Sequence, residues 1–468
     1  MRSTFFGLSS AFTGIAAHQR ALDTVNHNVG NTDTAGYSRQ RVELSANVPY
    51  TNPAWNTPTT PGQLGTGVKI QEMVRVRDQF IDVQYRDQNA KLGTFDARAE
   101  ALERLNQIVD EPGDNGLTAQ LGTFWASWQS LSTRPEGAAP REAVRAAADA
   151  LALGFNDTRT RLVESQDEAN ARIDAAVADV NRWVGQINTL NKEIFKVQAL
   201  GHEPNDLKDQ RDVLIDSISK AGNLTVTTAA NGKVSLNLGG QVLLDGTADT
   251  GYPVSVTAGG AINVGANAAT VTEGTLRGLV DIRDTVIGGP TGYIAKLDAL
   301  AKSIIDETNA IHSAGVGLDG STSTAFFAGT DAAGMAVSTA VKGSTDAIAA
   351  SSTAAGLPGD SGNAVKLAQL RFSVLTIDGA TTTIDGAWGA WVSKLGSDTD
   401  QATRLREVQQ NVLHVAQGRR DSVSGVNLDE EMADMVRFQK SYNAAARMVT
   451  TMDSMLETIV DRMGLVGR

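Results

Sequence analysis

The chain of 468 residues contains no cysteine, and this absence removes several kinds of chemistry. A disulfide framework, a thiolate metal site and a cysteine nucleophile all require that residue. Aromatic residues are also scarce, at 5% of the sequence, whereas glycine contributes 46 residues. Single hydrophobic cores stop growing well below this length, so we expect two to four domains.

Basic residues are in the minority. Lysine and arginine together number 41 against 53 aspartates and glutamates, which gives a formal net charge of -12. Clustered basic residues supply most of the affinity for nucleic acid, so this balance argues against such a partner.

Runs of about 18 consecutive apolar residues are missing too, and we therefore predict no membrane insertion. The stretch after Arg2 is interrupted by serine and threonine, which argues against a cleaved signal peptide.

The sequence offers little that could support catalysis. Residues Gly359 to Gly362 spell GDSG and resemble the nucleophile loop of serine proteases, but His18 lies in a predicted helix instead of a barrel loop. Five scattered histidines have no metal-ligand spacing, and no phosphate-binding loop occurs. We predict no enzyme, no cofactor and no metal. A secreted serine hydrolase, with Ser361 as its nucleophile, is the alternative from another functional class.

Apolar residues near the N-terminus recur at alternating steps of three and four, which is the spacing of a heptad seam. The seam ends at Gly30, and the turn-forming stretch NTDTAGYSRQ follows. The apolar seam positions are Phe5, Leu8, Phe12, Ile15, Leu22 and Val29.

The C-terminal end carries a longer seam of the same type. Asn427 and Glu430 have the spacing of an N-cap with a capping box, and Gly464 provides a stop signal. A helix from Leu428 to Met463 would be roughly 55 Å long. Its seam positions are Met435, Phe438, Tyr442, Ala445, Val449, Met452, Leu456, Ile459 and Met463.

Between the two ends, the pattern changes twice. Further helical stripes run from Ile173 to Ile194, from Leu207 to Ile218 and from Ile294 to Ile311, which predicts a helical bundle. From Leu224 to Val271, short runs rich in threonine and valine alternate with NG, GG and DG pairs, which predicts small antiparallel hairpins. Residues 321–362 are rich in small residues without a period, and we expect a short irregular excursion there.

The terminal seams indicate assembly. Each buried Met, Leu, Ile or Phe contributes about 1.5 to 3 kcal/mol, so helices with this many seam positions gain from partners. A pair formed only by these two helices would leave much of each surface exposed. An oligomeric or polymeric role is therefore predicted, with a free coiled-coil adhesin or scaffold as one alternative.

Two terminal motifs resemble those of a known family. The segment from Gly7 to Gln40 is similar to the N-terminal motif of flagellar rod, hook and hook-associated proteins, although Ala35 replaces the usual proline. The segment from Ser424 to Leu456, beginning SGVNLDEE, resembles the C-terminal motif of the hook-associated members. Leu207 to Asp216 and Ala314 to Gly329 are similar to internal segments of that family, so the resemblance touches most of the chain.

The resemblance implies a multidomain fold, mainly α with a small β domain. The terminal helices would pair as a coiled coil lining a channel, next to an elongated helical bundle and an outer antiparallel β domain. The implied domains are a terminal coiled coil (1–45 with 424–468), a helical bundle (46–222 with 273–320 and 363–423), an outer β domain (223–272) and a short irregular excursion in place of a further outer domain (321–362).

The same resemblance implies a structural junction subunit that links flagellar hook to filament. Its implied partners are the hook protein, a second junction protein, further copies of itself in a ring, and an export chaperone at the C-terminal helix. The implied location is extracellular, in the flagellum, after type III export. The terminal seam residues, together with Leu428, would then form the polymer interface. A hook or filament subunit is the alternative within this class.

Overall fold

The computed structural model describes residues 6–49, 65–109, 111, 113 and 116–463. Among the predicted interface residues, Phe5 lies outside this range. For Ile459 and Met463 the structure describes the helix but not the side chains. Within the described residues, no helix is both long enough and apolar enough to cross a membrane.

Helices make up most of the described chain. In chain order they are α1 (Phe6–Gly30), α2 (Gln79–Val109), α3 (Leu117–Thr133), α4 (Ala138–Ala199), α5 (Asn205–Ala221), α6 (Thr275–Asp281), α7 (Tyr293–Ser313), α8 (Thr339–Gly343), α9 (Gly362–Gln369), α10 (Ile384–Ser424) and α11 (Leu428–Met463). Helix α11 begins directly after Asn427, as predicted, and the Asn427 Oδ1 accepts a hydrogen bond from the Asp429 backbone N–H at 3.0 Å.

The strands are short and pair antiparallel. They are β1 (Gln40–Ala46), β2 (Val68–Arg75), β3 (Leu224–Thr228), β4 (Val234–Leu238), β5 (Gln241–Asp245), β6 (Thr250–Gly251), β7 (Val254–Val256), β8 (Ile262–Val264), β9 (Asn267–Ala268), β10 (Phe327–Ala328), β11 (Ala336–Val337), β12 (Leu375–Ile377) and β13 (Ala380–Thr382). The predicted fold class, mainly α with paired terminal helices and a small antiparallel β region, is confirmed. The β1–β2 ladder was not predicted from the sequence.

Two separate clusters of buried side chains form the interior. The first, here called the aromatic core, contains Phe124, Trp125, Trp128 and Phe326 among its members. The second, here called the sheet core, is formed by α4, α5 and α6 packed against β3–β5 and β7–β8. Helix α4, with 62 residues and a length of about 93 Å at 1.5 Å per residue, contributes to both clusters.

Asparagines on α4 bind backbone groups of the small sheets. Asn191 is fully buried, and its amide donates to the Val234 carbonyl at 2.9 Å while accepting from the Val234 N–H at 3.1 Å. The Arg211 guanidinium donates to the same Asn191 oxygen at 3.1 Å. Asn191, the polar interruption in the apolar stripe, therefore satisfies a strand backbone that would otherwise be buried without partners.

Replacing Asn191 by alanine is expected to lower the free energy of unfolding by about 3 kcal/mol, because it strands buried donors and an acceptor. Asn188→Ala is the matched control, since Asn188 is only half-buried and donates one bond, to the Asp249 carbonyl. Urea denaturation of both variants measures the difference. Equal losses in the two variants would contradict the role assigned to Asn191.

Residues 321–362, predicted as an irregular excursion, contain β10, β11 and α8. Phe326 and Phe327 from this segment are buried in the aromatic core. The segment is also bound by Arg141, whose guanidinium donates to the Ile348 carbonyl at 2.8 Å. The sequence of this segment does not predict its packing, because the packing depends on contacts with α3, α4 and α7 and not on a repeat within the segment.

The GDSG string has a structural explanation. The Asp360 carboxylate accepts hydrogen bonds from the Ser351 and Ser352 hydroxyls at 2.9 and 2.6 Å and from the Gly362 N–H at 3.0 Å. These bonds, with that from the Ser352 hydroxyl the strongest, lower the pKa of Asp360 below its usual range. The string thus forms the turn that leads into α9.

Candidate assembly surface

Helices α1 and α11 pack against each other in antiparallel directions. Met452 lies against Gly7, Ala445 against Gly14, and the rings of Phe438 and His18 are 6.2 Å apart. Other small residues on α1, including Ala17 and Ala21, are almost fully buried. Side chains of this size allow the two helix axes to approach closely.

The predicted seam of α11 faces this contact. Its described positions are all half-buried, namely Met435, Phe438, Tyr442, Ala445, Val449, Met452 and Leu456. Leu428, at the start of the helix, is 47% exposed. On α1 the large predicted residues lie beside the contact instead of in it, because Gly, Ala and Val25 fill its centre. Leu8, Ile15, Leu22 and Val29 are half-buried, and Phe12 is 67% exposed.

The helix pair therefore retains exposed apolar side chains on its flanks. On α11, Met448 and Met455 are more than half exposed and lie one heptad apart, which places them on the same side of the helix. Met432 and Val460 are also exposed, as is Phe12 on α1. Scattered exposed apolar residues are ordinary, but two exposed methionines on the same side of a helix suit a contact surface.

A cluster of polar residues, here called the neck, joins the helix pair to the rest of the molecule. It consists of Asn28, Tyr37, Arg39, Gln40, Glu430 and Glu431. Asn28 is at its centre and is buried. Its amide nitrogen donates to the Gln40 carbonyl at 2.9 Å and to Glu431 Oε2 at 3.0 Å. Its amide oxygen accepts from the Gln40 N–H at 2.9 Å and from the Tyr37 hydroxyl at 2.8 Å. Every bonding position of this side chain is used.

Arg39 connects the two terminal motifs across the neck. Its guanidinium binds Glu430 Oε2 and Glu431 Oε1, each at 2.6 Å, and the Glu431 carboxylate is nearly inaccessible to solvent. The Arg39 backbone N–H donates to the Ser424 carbonyl at 2.8 Å. Glu430, predicted to close a capping box with Asn427, binds Arg39 instead. The N-terminal turn and the start of α11 are thus held together by side chains from both motifs.

A second layer of ion pairs lies beneath the neck. Arg75 Nη1 is 2.7 Å from Asp209 and 2.8 Å from Asp212, and Arg77 Nη1 is 3.0 Å from Asp212. Arg86 Nε and Arg420 Nη1 both bind Asp216, at 2.7 and 2.5 Å. These pairs link β2, α2 and α10 to one face of α5.

Burial and neighbouring charges shift the pKa of Asp212 in this layer in opposite directions. Burial alone would raise the pKa of Asp212, but Arg77, Arg75 and Arg86 together hold it below its usual value. Arg211 is buried on the same helix, and burial together with repulsion from Arg75, Arg86 and Arg77 outweighs the attraction of Asp212 and lowers its pKa to about 10. Asp212 is therefore ionised at neutral pH and anchors the arginines that surround it.

Sequence reasoning did not identify this layer. One signal was available: Asp209, Asp212 and Asp216 recur at helical spacing on one face, and Arg75 and Arg77 alternate with valines at the end of β2. Apolar packing contributes little here, because neither core cluster includes a residue from the described chain before Ala97. The helix pair and its β1–β2 hairpin are joined to the body mainly through polar contacts.

Two known protein families match separate parts of this chain. Residues 102–327 match the family described as the flagellar hook-associated protein FlgK helical domain, and residues 417–462 match the C-terminal family of flagellar basal body rod FlgEFG proteins. The flagellar hook-associated protein 1 of Bacillus subtilis (strain 168) is 34% identical, and the alignment covers all of both chains.

Two further flagellar proteins, of lower sequence identity, are also similar to this chain. The flagellar hook-associated protein 1 of Salmonella typhimurium is 24% identical over 97% of this chain and 99% of its own length. Among solved structures, the flagellar hook junction protein FlgK from Burkholderia pseudomallei superposes with a TM-score of 0.64 at 16% sequence identity. That likeness covers 73% of this chain and 100% of the other, and it supports the fold.

Proposed function

We propose that this chain, which belongs to the family of flagellar hook-associated protein 1, is the structural subunit that joins the flagellar hook to the filament. The observation that carries the proposal is the set of exposed apolar side chains on the α1–α11 pair, which includes Phe12, Met448 and Met455. Such a set gains stability when neighbouring subunits cover it.

The proposed assembly is a ring or short stack of identical subunits, with the helix pairs side by side. Contacts between unlike faces of one subunit extend in this way, whereas a two-fold contact would close after two copies. Hook protein would lie on one side of the ring and a second junction protein on the other. The seam residues of α11 and the small residues of α1 hold each pair together, and the exposed apolar residues contact the neighbours.

Export and localisation complete the proposal. The chain would pass unfolded through the flagellar secretion channel and become ordered outside the cell. A chaperone covering α11 before export would protect Met432, Met448 and Met455 from aggregation, since all three are exposed in the folded subunit. Absence of cysteine suits this route, because folding then needs no oxidation step.

Met452→Asp tests the proposal. Met452 lies against Gly7 in the helix pair, and a carboxylate there would separate α1 from α11. We expect this variant to leave a strain that lacks the native gene without filaments and without swimming, although both cores remain folded. Electron microscopy should show intact hooks with bare ends and flagellin released into the medium.

Ser454→Asp is the matched control, because Ser454 is exposed two positions further along the same helix. It should restore swimming. A swimming strain that carries Met452→Asp, or hooks that are themselves missing in the deletion strain, would contradict the junction role. Missing hooks would favour the hook-subunit alternative.

A further inference from the structure

Methionine is concentrated in helix α11. The chain contains nine methionines, and six of them fall within the 36 residues of this helix. Met432, Met448 and Met455 are 62%, 56% and 58% exposed, whereas Met335 in the aromatic core is 1% exposed. Because the chain contains no cysteine, the methionine sulfur atoms are the groups that peroxides oxidise most readily.

Met448 and Met455 belong to an uncharged strip on one flank of α11, here called the methionine strip. At about 100° per residue, its members are Ser441, Ala444, Met448, Thr451, Met455 and Thr458. The methionine strip is about 26 Å long, at 1.5 Å per residue. Met432 lies outside it, because this residue is about 160° away from Met448 around the helix.

The hydroxyl groups of the methionine strip are bonded to the helix itself. Ser441, Thr451 and Thr458 donate to backbone carbonyls of the preceding turn, at 3.0, 2.8 and 2.8 Å. The hydroxyl protons are therefore used, and methionine and alanine side chains have none to donate. Within this part of the described chain, the strip thus offers an apolar surface without a free hydrogen-bond donor.

Oxidation changes the character of the strip. The methionine sulfur attacks hydrogen peroxide, so that an S–O bond forms as the O–O bond breaks, and the displaced hydroxide removes the proton from the new S–OH group and leaves as water. The sulfur loses two electrons, and the peroxide gains them. The resulting sulfoxide oxygen is a strong acceptor, and burying it without a donor weakens a contact roughly tenfold.

We infer that Met448 and Met455 are oxidation sites at which hydroperoxides prevent the subunit from entering the flagellar junction. The inference rests on the proposed junction role, because that role brings neighbouring helix pairs against these two side chains. Oxidation acts on the subunit before assembly, while both methionines are exposed to solvent. Assembled copies are protected, since their neighbours then cover the sulfur atoms.

Mass spectrometry of the purified full chain after graded treatment with hydrogen peroxide identifies the sites. Met448 and Met455 should each gain one oxygen at the lowest dose, before the half-buried Met452 and well before Met335. Met432 is equally exposed and should be oxidised as well. Conversion of Met335 at the same dose as Met448 and Met455, in a chain whose circular dichroism is unchanged, would overturn the assignment of the sites.

Paired leucine variants measure the consequence for assembly. The unaltered chain and Met448→Leu with Met455→Leu are each induced in the deletion strain, with and without sub-lethal hydrogen peroxide, and filaments per cell are counted. The leucine variant keeps the methionine strip apolar and has no sulfur there to oxidise. Peroxide should therefore reduce the number of filaments formed with the unaltered chain and leave the number formed with the leucine variant unchanged.

Paired glutamine variants reproduce the oxidised state without peroxide. Met448→Gln with Met455→Gln places amide oxygens near the positions of the sulfoxide oxygens, and it should leave hooks with bare ends although the chain is exported. Met432→Gln is the matched control, because it introduces the same amide on the opposite side of α11 at an equally exposed position. This control should restore filaments and swimming.

The outcomes separate the oxidation sites from the junction role. An equal loss of filaments in peroxide with the unaltered chain and the leucine variant overturns the inference, and so does a swimming strain that carries the paired glutamine variant. Bare hooks with the leucine variant in untreated cells also overturn it. In these cases the unaltered chain still restores filaments in untreated cells, and the junction role stands. Failure of the unaltered chain to do so overturns the junction role and this inference with it.

Discussion

Replacing Arg39 by glutamate is expected to release the start of α11 from the neck while both cores stay folded. Arg39 is the cation that compensates Glu430 and Glu431, and the Glu431 carboxylate is almost fully buried. Reversing the charge leaves a buried carboxylate facing another negative group, and breaking a buried pair costs about 3 to 5 kcal/mol. Asn28 alone, with one hydrogen bond to Glu431, does not offset that loss.

Hydrogen exchange of the amides of Glu431 to Phe438 measures the release. A loss of about 3 kcal/mol corresponds to exchange roughly one hundred times faster. Arg41→Glu is the control, because Arg41 lies in β1, is exposed and, among the described residues, pairs only with Glu43, at 3.5 Å. Unchanged exchange in Arg39→Glu, or an equal increase in Arg41→Glu, would contradict the assigned role. The double variant Arg39→Glu with Glu431→Arg should recover part of the protection.

Acidification from pH 7 to pH 4.5 is expected to destabilise the aromatic core through a single histidine. His312 is fully buried, with Nδ1 2.7 Å from the Thr324 carbonyl and Nε2 accepting from the Ala349 N–H at 2.9 Å. This pattern requires the neutral ring, with its proton on Nδ1. Burial lowers the pKa of His312 to about 4, in spite of the bond to Thr324.

The sign follows from proton binding. The unfolded chain binds a proton at His312 near pH 6.5 and the folded chain only near pH 4. Stability is therefore complete above pH 6.5 and decreases as the pH falls towards 4, by up to about 3 kcal/mol. Melting curves between pH 7 and 4.5 should show the decrease, and His312→Gln should flatten it. Exposed His202→Gln should keep the slope of the unaltered chain, and a slope that persists in His312→Gln would contradict the assignment.

Local patterns predicted the helices well. The start of α11 at Leu428 and its half-buried seam follow from an N-cap residue and a regular period, both of which are visible within a few residues. The sheet strands between Leu224 and Ala268 follow from alternating β-branched residues and glycine turns. Both patterns depend on neighbours in the sequence, and so a single chain reveals them.

Contacts between distant segments could not be predicted in this way. Pattern reading gives weight to large apolar residues and placed Phe12 on the seam, whereas the centre of the contact in α1 consists of glycines and alanines. The pairing of Arg39 with Glu431 joins positions almost four hundred residues apart, and charge alone does not say which carboxylate an arginine meets. The burial of Phe326 was hidden for the same reason, since its neighbours come from other helices.

The continuity of α4 has a mechanical consequence. Leu151 and Phe155 belong to the aromatic core, whereas Ile173 and Val180 of the same helix belong to the sheet core. A pull or twist applied to one core passes to the other along a single ladder of backbone hydrogen bonds, with no loop between them. The two cores are consequently expected to move as one rigid unit, because the helix that joins them has no break.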